Sequence, residues 1–221
     1  MASPVPPASR RPAAKPAPGP GRPKDLGKRA AILDAAKRLF AREGFGGTSM
    51  DQIAAEAGVS KLTVYSHFGD KEALFTEAVR AKCEEMLPDD LFQIELEGPL
   101  RDQLRAIAQA FFALISSDEA ISTQRMMMVP GNIDDNLKQV FWQAGPQRTH
   151  DAFAALLQAR VDAGELEIPD VPRAAEQFFT LIKGDLHGRM MCGFGERPGR
   201  GDVASHLDAS VDLFLRAYGK R

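Results

Sequence analysis

Apolar residues recur along most of the chain at intervals of three and four positions, the spacing that places them on one side of an α-helix. The first such stripe begins at about Leu26 and contains Ile32, Ala36, Leu39 and Phe40. Alternation of apolar and polar residues never persists over the length of a strand. The pattern therefore predicts an all-α protein with three short helices in front and about six longer ones behind.

Glycines and capping residues divide the front of the chain into helices. Gly44 and Gly58 are placed to end the first and second helices, because glycine tolerates the left-handed conformation that follows a helix. Ser49, Ser60 and Asp70 precede the second, third and fourth predicted helices, where their side chains can accept hydrogen bonds from free backbone N–H groups. The later helices are predicted after Pro99, over 118–129, over 134–163 with a bend at Gly145-Pro146, over 170–191 and over 202–218.

Composition separates the chain into three regions. Residues 1–23 contain eight prolines and little else than Ala, Arg, Gly and Ser, so we predict a disordered basic arm. Residues 24–75 carry the short helices, and residues 76–221 form a larger helical domain. The formal charge is +3 over residues 1–21 and +2 over 22–80, but −7 over 81–221. A basic front on an acidic body is typical of proteins that bind a polyanion, although a solvated basic tail gives the same gradient.

Several other classes of protein are poorly supported by the sequence. No apolar run reaches the roughly 18 residues of a membrane helix, and the N-terminus lacks the apolar segment of a secretory signal. The two cysteines, Cys83 and Cys192, are far apart, and the four histidines show no metal-ligand spacing. No phosphate-binding glycine loop or G-x-S-x-G motif is present. We therefore expect a cytoplasmic protein that is not an enzyme and needs no cofactor or metal.

The front region has the parts of a helix-turn-helix. Ala54 is small enough to let two helices approach, Gly58 allows a turn with positive φ, and Val64 and Phe68 can anchor the third helix in a core. Around these two anchors the third helix carries Lys, Leu, Thr, Tyr and His side chains over residues 61–67. Two short helices joined in this way predict a DNA-binding motif whose second helix enters the major groove.

Residues 26–75 resemble the DNA-binding domain of the TetR/AcrR family of bacterial transcriptional regulators. The resemblance rests on ILxAAxxLF at 32–40, GFxxTS at 44–49, IAxxAGVS at 53–60, TVYxHF at 63–68 and KExL at 71–74. It implies nine helices, a homodimer and a C-terminal domain with a small-molecule pocket. In the rear half, FWxAGPxR at 141–148, AGxL at 163–166 and AAxxF at 174–178 resemble the AcrR- and AefR-like regulators of efflux systems.

The resemblance implies roles for individual side chains at the DNA. Lys61, Leu62 and Thr63 would face base edges, where an ammonium can donate to guanine and apolar groups can meet the thymine methyl. The implied phosphate contacts are Thr48, Ser49, Ser60, Tyr65, His67 and Lys71. Simple helix capping by Thr48 or Ser49, and half-buried packing by Tyr65, are alternatives that the sequence leaves open.

The segment GPGRPK at 19–24 resembles the core of an AT-hook. A narrow minor groove has a strongly negative potential and attracts inserted arginines. We hypothesise that Arg22, Lys24, Lys28 and Arg29 bind the minor groove beside the major-groove site. A non-specific tether to phosphates explains the same residues equally well.

Aromatic residues and methionines are concentrated in the middle helices, where most of them are expected in the core. As a set they also suit an apolar ligand pocket, because these side chains adapt to irregular space. The predicted lining residues are Phe111, Phe112, Ile115, Met127, Trp142 and Phe178. The polar candidates are Gln124, Arg125, Gln143 and His150.

The last two predicted helices carry apolar stripes that suit a four-helix interface between two subunits. The predicted interface residues are Phe179, Ile182, Leu186, Leu207, Val211 and Phe214. A two-fold dimer would present two reading helices to a palindromic DNA site. We therefore expect a homodimeric repressor that a small hydrophobic ligand releases from double-stranded DNA. The alternative is an effector-independent DNA-binding dimer whose rear domain only dimerises.

Overall fold

The computed structural model describes residues 25–93, 98–129 and 135–220. Its helices are α1 (Leu26–Gly47), α2 (Met50–Glu56), α3 (Lys61–Phe68), α4 (Lys71–Met86), α5 (Leu100–Ile115), α6 (Asp118–Met128), α7 (Asp135–Trp142), α8 (Arg148–Asp162), α9 (Val171–Cys192) and α10 (Arg200–Tyr218). No residue in these ranges belongs to a strand, and the all-α prediction is confirmed. The predicted arm at 1–23 lies outside the described residues.

The sequence signals for capping of the front helices are confirmed. Ser49 and Gln52 form a capping box in which the Ser49 Oγ accepts from the Gln52 N–H at 3.2 Å, and the Gln52 Oε1 accepts from the Ser49 N–H at 2.7 Å. Ser60 caps α3, because its side chain accepts a hydrogen bond from the backbone N–H of Thr63. Gly44 and Gly58 have φ values of 72° and 66°. Gly58 therefore ends α2 as the sequence predicts, whereas Gly44 kinks α1, which continues to Gly47.

The predicted bend at Gly145-Pro146 is a π-helical turn over Gln143–Gln147. Proline lacks an N–H group and clashes with the carbonyl one turn earlier, so a wider turn lets the helix pass Pro146 without stopping. Together α7, this turn and α8 form one continuous rod. The described residues therefore contain nine helical rods, the number that the family resemblance implies.

Two clusters of buried side chains hold the helices together. The front core joins α1, α2, α3 and the first half of α4, and it receives Leu137 from α7. The rear core joins α5, α8, α9 and α10. In α4, Leu74 and Phe75 belong to the front core, whereas Cys83 and Met86 pack against the rear core. This one helix therefore connects the two clusters rigidly.

The rear core contains the residues that the sequence assigns to a dimer interface. Phe179, Ile182, Leu207, Val211 and Phe214 are buried within the single chain, and Leu186 packs against the same cluster. The prediction of a partner contact is therefore wrong for Phe179, Ile182, Leu207 and Val211. It stays a prediction for Leu186, which is partly exposed, and for Phe214, which lines a groove on the outer face of α9 and α10. An apolar stripe shows only that a helix face is covered, and in α9 and α10 that face is covered by the chain's own α5 and α8.

Helix α9 is interrupted at Gly184, where φ is 49° and ψ is −160°. The ring of His206 from α10 fills the break, and its Nε2 lies 3.0 Å from the carbonyl oxygen of Ile182. The hydroxyl of Ser210 donates to the carbonyl oxygen of Leu181 at 3.3 Å. Carbonyls that lose their helical partners at the break therefore find new ones on α10.

None of the described helices has the length and apolar character needed to cross a membrane.

Candidate DNA-binding surface and ligand cavity

Helix α3 combines two anchored residues with an outward-facing polar and apolar surface. Val64 is fully buried and Phe68 nearly so, which fixes α3 to the front core. Leu62 is 81% exposed and Tyr65 is 42% exposed. Leu62 therefore contributes nothing to packing, and an exposed leucine at this position suits contact with a partner molecule.

Lys61 is also exposed, but its ammonium is paired with Asp51 of α2 at 2.8 Å between Nζ and Oδ2. The hydrogen bond that the Lys61 ammonium donates to the Asp51 carboxylate raises the pKa of Lys61. Both partners are well exposed, so the pair is weak and Lys61 can exchange it for another acceptor. Thr63 is only partly exposed, and its Oγ1 lies 2.8 Å from the Oγ of Ser60.

The structure does not test the phosphate contacts predicted for Ser49, Ser60 and His67. Ser49 and Ser60 are exposed caps at the N-termini of α2 and α3, where free N–H groups favour an anion. The Nδ1 of His67 is buried without a hydrogen-bond partner among the described residues. The other side of the ring is partly accessible, since His67 as a whole is of intermediate exposure.

Thr48 does not lie on the exposed surface. The residue is 2% exposed, and its hydroxyl donates to the carbonyl oxygen of Gly44 at 2.7 Å. It therefore closes the end of α1, and the prediction that its side chain contacts phosphate is wrong for this conformation.

Lys71 is likewise used inside the protein. Its Nζ donates to the carbonyl oxygens of Phe45 at 2.9 Å and Thr48 at 3.1 Å, and it lies 4.2 Å from the centroid of the Phe45 ring. These contacts join the start of α4 to the segment between α1 and α2. Lys71 therefore binds backbone carbonyls of its own chain, and its predicted contact with phosphate is wrong for this conformation.

The Lys71→Met variant is expected to lose about 1–3 kcal/mol of unfolding free energy, because two carbonyls and an aromatic face lose their cationic partner. Chemical denaturation measures this loss. The logarithmic slope of DNA affinity against salt concentration should stay unchanged, because Lys71 makes no phosphate contact in this structure; loss of a phosphate-binding lysine would reduce that slope by about 1. If Lys71→Met left the stability unchanged and reduced the salt slope, Lys71 would contact phosphate after all.

Two of the four residues predicted to bind the minor groove, Lys28 and Arg29, belong to α1 and make intramolecular contacts. Arg29 pairs with Glu77 of α4 at 2.6 Å, and its guanidinium carbon lies 4.9 Å from the centroid of the Phe68 ring. Arg29 therefore braces α1 against α3 and α4, and its predicted minor-groove contact is wrong for this conformation. Lys28 is exposed and pairs loosely with Asp25 at 3.6 Å, so its role stays a prediction. Arg22 and Lys24 lie outside the described residues.

A cavity of about 500 Å³ lies between the front and rear cores. Its walls come from α1, α4, α5, α6 and the α7–α8 rod, and Lys183 of α9 contributes to one side. Of the predicted residues, Phe111, Ile115, Trp142, Gln124 and His150 line it. Five of the ten residues predicted from the aromatic and polar pattern of the middle helices therefore line the cavity, and they form a minor part of its wall.

The other predicted pocket residues have different surroundings. Phe178 is fully buried in the rear core, where its ring centroid lies 4.5 Å from that of Phe153. Phe112 is buried as well, and Met127 packs against the front core. The guanidinium of Arg125 donates to backbone carbonyls at the end of α9. These residues and Gln143 do not line the cavity, and their assignment to it is wrong.

Sequence reasoning missed the walls that α1 and α4 provide. Phe40, Phe75 and Val79 line the cavity, together with Cys83, whose thiol pKa burial raises to about 11. In the sequence these residues belong to the regular apolar stripes of the front helices, which gave no sign that one side of the front core is open.

Helix α6 connects the cavity to the end of α1. Thr123 and Gln124 line the cavity, and the next turn of the helix touches α1. The Sδ of Met126 accepts from the N–H of Phe45 at 3.3 Å, and the hydroxyl of Ser122 donates to the carbonyl oxygen of Ala41 at 3.2 Å. A displacement of α6 would therefore act directly on the segment that precedes α2 and α3.

Two family models match the chain. The model described as bacterial regulatory proteins, tetR family, matches residues 32–78. The model described as AefR-like transcriptional repressor, C-terminal domain, matches residues 102–220. The two matched ranges contain α3 with its exposed surface and most of the cavity wall.

Curated relatives match to different extents. The HTH-type transcriptional repressor AcnR of Corynebacterium glutamicum is 32% identical over 90% of this chain and 96% of its own length. The HTH-type transcriptional activator FasR of Mycolicibacterium smegmatis is 33% identical, but the match spans 41% of this chain and 42% of that protein. The chain thus covers less than half the length of FasR.

Two solved structures share the fold over most of the chain. A putative TetR-family transcriptional regulator from Mesorhizobium loti superposes with a TM-score of 0.76 at 27% identity, covering 90% of this chain and 100% of the other. The flavonoid-responsive regulator FrrA has a TM-score of 0.69 at 30% identity, covering 89% and 100% respectively.

Proposed function

Because the chain belongs to the TetR family of bacterial transcriptional regulators, we propose that it is a homodimeric repressor. It binds a palindromic operator and is released by a small hydrophobic ligand in the cavity. In this proposal residues 24–75 bind DNA and contribute the α1 and Phe75 parts of the cavity wall, and residues 76–221 supply the rest of the ligand site and dimerise. Repression is favoured by AcnR, a repressor by name that matches nearly the whole chain. FasR, an activator by name, matches much less of it.

We assign base reading to Lys61, Leu62 and Thr63. The strong exposure of Leu62 and the exchangeable ion pair of Lys61 support this assignment, because neither side chain has to give up core packing to reach a base. The exposed helix caps at Ser49 and Ser60, with Tyr65 and His67, would position α3 on the phosphate backbone.

We assign the dimer contact to the outer faces of α9 and α10. A shallow groove there is lined by Thr180, Leu181, Leu213 and Ala217, and Leu213 is 46% exposed. Small and apolar side chains on adjacent helices suit the close approach of a second pair of helices. A two-fold axis through this face would place two copies of α3 on one side of the dimer.

The observation that carries ligand control is the contact of α6 with both the cavity and α1. A ligand changes DNA affinity only if it binds the released state more tightly than the DNA-bound state. The hydrogen bond between Met126 and Phe45 gives such a ligand a direct route, because α6 is a wall of the cavity and a support for the end of α1. The same helix would thus sense the ligand and shift the front helices.

Selection of bound duplexes from a random DNA pool by the full-length protein at near-physiological salt tests the DNA-binding part. We expect enrichment of a palindrome with half-sites about one helical turn apart. The Leu62→Ala variant should keep its stability and lose preference at one position of each half-site. Salt-sensitive binding without an enriched sequence would contradict the proposed operator reader.

Titration of the protein–operator complex with apolar compounds small enough for the cavity tests ligand control. At least one compound should lower operator affinity of the wild type. The Ala120→Trp variant, which fills part of the cavity from α6, should respond less. If no compound lowers the affinity, the rear domain serves only for dimerisation.

A further inference from the structure

We propose that the ligand of the cavity is an amphiphile with a single carboxylate, which binds the ammonium of Lys183 while its apolar body fills the rest of the space. This inference rests on the proposed ligand-binding function of the cavity. It adds the chemical class of the ligand and the residue that selects it.

The charges around the cavity are paired with one exception. Within the described ranges, four basic and three acidic side chains line it. Lys37 lies 3.1 Å from Glu85, and Lys82 lies 3.9 Å from Glu119. Arg38 is paired as well, with a glutamate of α2. Among the described residues, no carboxylate lies within salt-bridge distance of Lys183, so the wall carries one uncompensated positive charge.

Lys183 is a solvent-exposed residue that lines the cavity, and no described residue serves as its counter-ion there. The protein atoms on its other sides partly desolvate the ammonium and lower its pKa. Its charge also lowers the pKa values of His150 and His187, in addition to the larger effect of their own burial. A cation that lies near two histidines and has no counter-ion is stabilised by an incoming anion.

The rest of the cavity suits an apolar body. Phe75, Val79, Phe111, Ile115 and Phe141 line it, and about 500 Å³ is within the range of small-molecule sites. His150 lines the same cavity, with its ring 6.1 Å from Trp142 and 5.0 Å from Phe179 between the centroids. One unpaired cation in a mostly apolar wall is the complement of one anionic group on an apolar molecule.

Decanoate and decanol form a matched pair of probes, because they share the alkyl chain and differ in the charged group. Trp142 is the only tryptophan of the chain and lines the cavity, so its fluorescence reports binding of either probe to the full-length protein. The variants are Lys183→Met, which removes the charge, and Lys183→Arg, which keeps it. Lys82→Met is the control, because it removes a paired lysine from the same cavity.

We expect the wild type to bind decanoate more tightly than decanol. Lys183→Met should weaken decanoate binding by about 10-fold to 100-fold and leave decanol binding unchanged, as expected for loss of one charge-assisted contact. Lys183→Arg and Lys82→Met should both retain the preference for decanoate. Thermal unfolding confirms that each variant is folded.

Equal binding of the two probes, or an unchanged preference in Lys183→Met, would overturn the carboxylate assignment while leaving an apolar ligand site intact. Failure of both probes to bind would overturn the assignment together with the proposed ligand site. The operator selection described above is independent of both results, so the DNA-binding proposal is judged separately.

Discussion

Replacement of Gly184 by alanine is expected to lower the free energy of unfolding by about 2–4 kcal/mol. At φ 49° and ψ −160° the backbone is in a region that only glycine adopts readily. A Cβ atom would also lie 2.5 Å from the Cε1 of His206. The ring cannot move away without losing its hydrogen bond to Ile182 inside the break of α9. Chemical denaturation followed by circular dichroism measures the loss.

The control for this prediction is Gly201→Ala at the start of α10. In the part of the chain that the structure describes, no surrounding atom lies within 4 Å of a Cβ atom built there, so the change should stay within about 1 kcal/mol. The double variant Gly184→Ala with His206→Ala removes the clash but keeps the backbone strain, and it should remain less stable than the wild type. Wild-type stability in Gly184→Ala would show that the break in α9 is not part of the folded state.

Phe153→Ala is expected to cost about 3–5 kcal/mol of unfolding free energy, the usual range for a fully buried phenylalanine. The side chain has no exposed surface, and its ring contacts those of Phe178, Phe179 and Phe214 at centroid distances of 4.5, 5.0 and 6.5 Å. Its removal leaves a void at the point where α8, α9 and α10 meet. Urea or thermal unfolding reports the loss.

Phe194→Ala is the matched control, since this phenylalanine is 69% exposed just beyond α9 and should contribute less than about 0.5 kcal/mol. A small effect of Phe153→Ala would mean that the aromatic cluster can collapse around the void. Loss of dimers without loss of stability in Phe153→Ala would instead revive the idea that these phenylalanines face a partner.

The elements of this fold could be predicted because their signals are local. Ser49, Ser60 and Asp70 cap the helices that follow them, as the sequence indicates, Gly58 ends α2, and Gly44 marks a kink near the end of α1. Each signal depends on backbone groups within four residues of the side chain. Helical periodicity likewise needs no knowledge of the rest of the protein.

The roles of several polar side chains could not be predicted, because their partners are distant in sequence. Lys71 binds the carbonyl of Phe45, 26 positions away, and Arg29 pairs with Glu77, 48 positions away. A basic residue near a DNA-binding helix is equally compatible with a phosphate and with an internal acceptor. Only the packing of α1 against α4 decides between them.

The apolar stripes of α9 and α10 show a related difficulty. Periodicity identifies the covered face of a helix and gives no information about which chain covers it. Phe179 and Phe214 therefore fit a dimer interface and a protomer core equally well until the position of α5 and α8 is known. For the cavity, the same ambiguity hid Phe75 and Val79, which read as ordinary core residues of α4.

The continuity of α4 limits how this protein can be divided or recombined. A cut at residue 75 would divide α4. Phe75 would then be separated from the cavity-lining Val79, and from Cys83 and Met86, which pack against the rear core. A fragment meant to carry the DNA-reading helices alone has to include all of Lys71–Met86. Chimaeras that exchange the DNA-binding helices α1 to α4 between relatives would therefore inherit part of the donor's ligand specificity, because α4 carries part of the cavity wall.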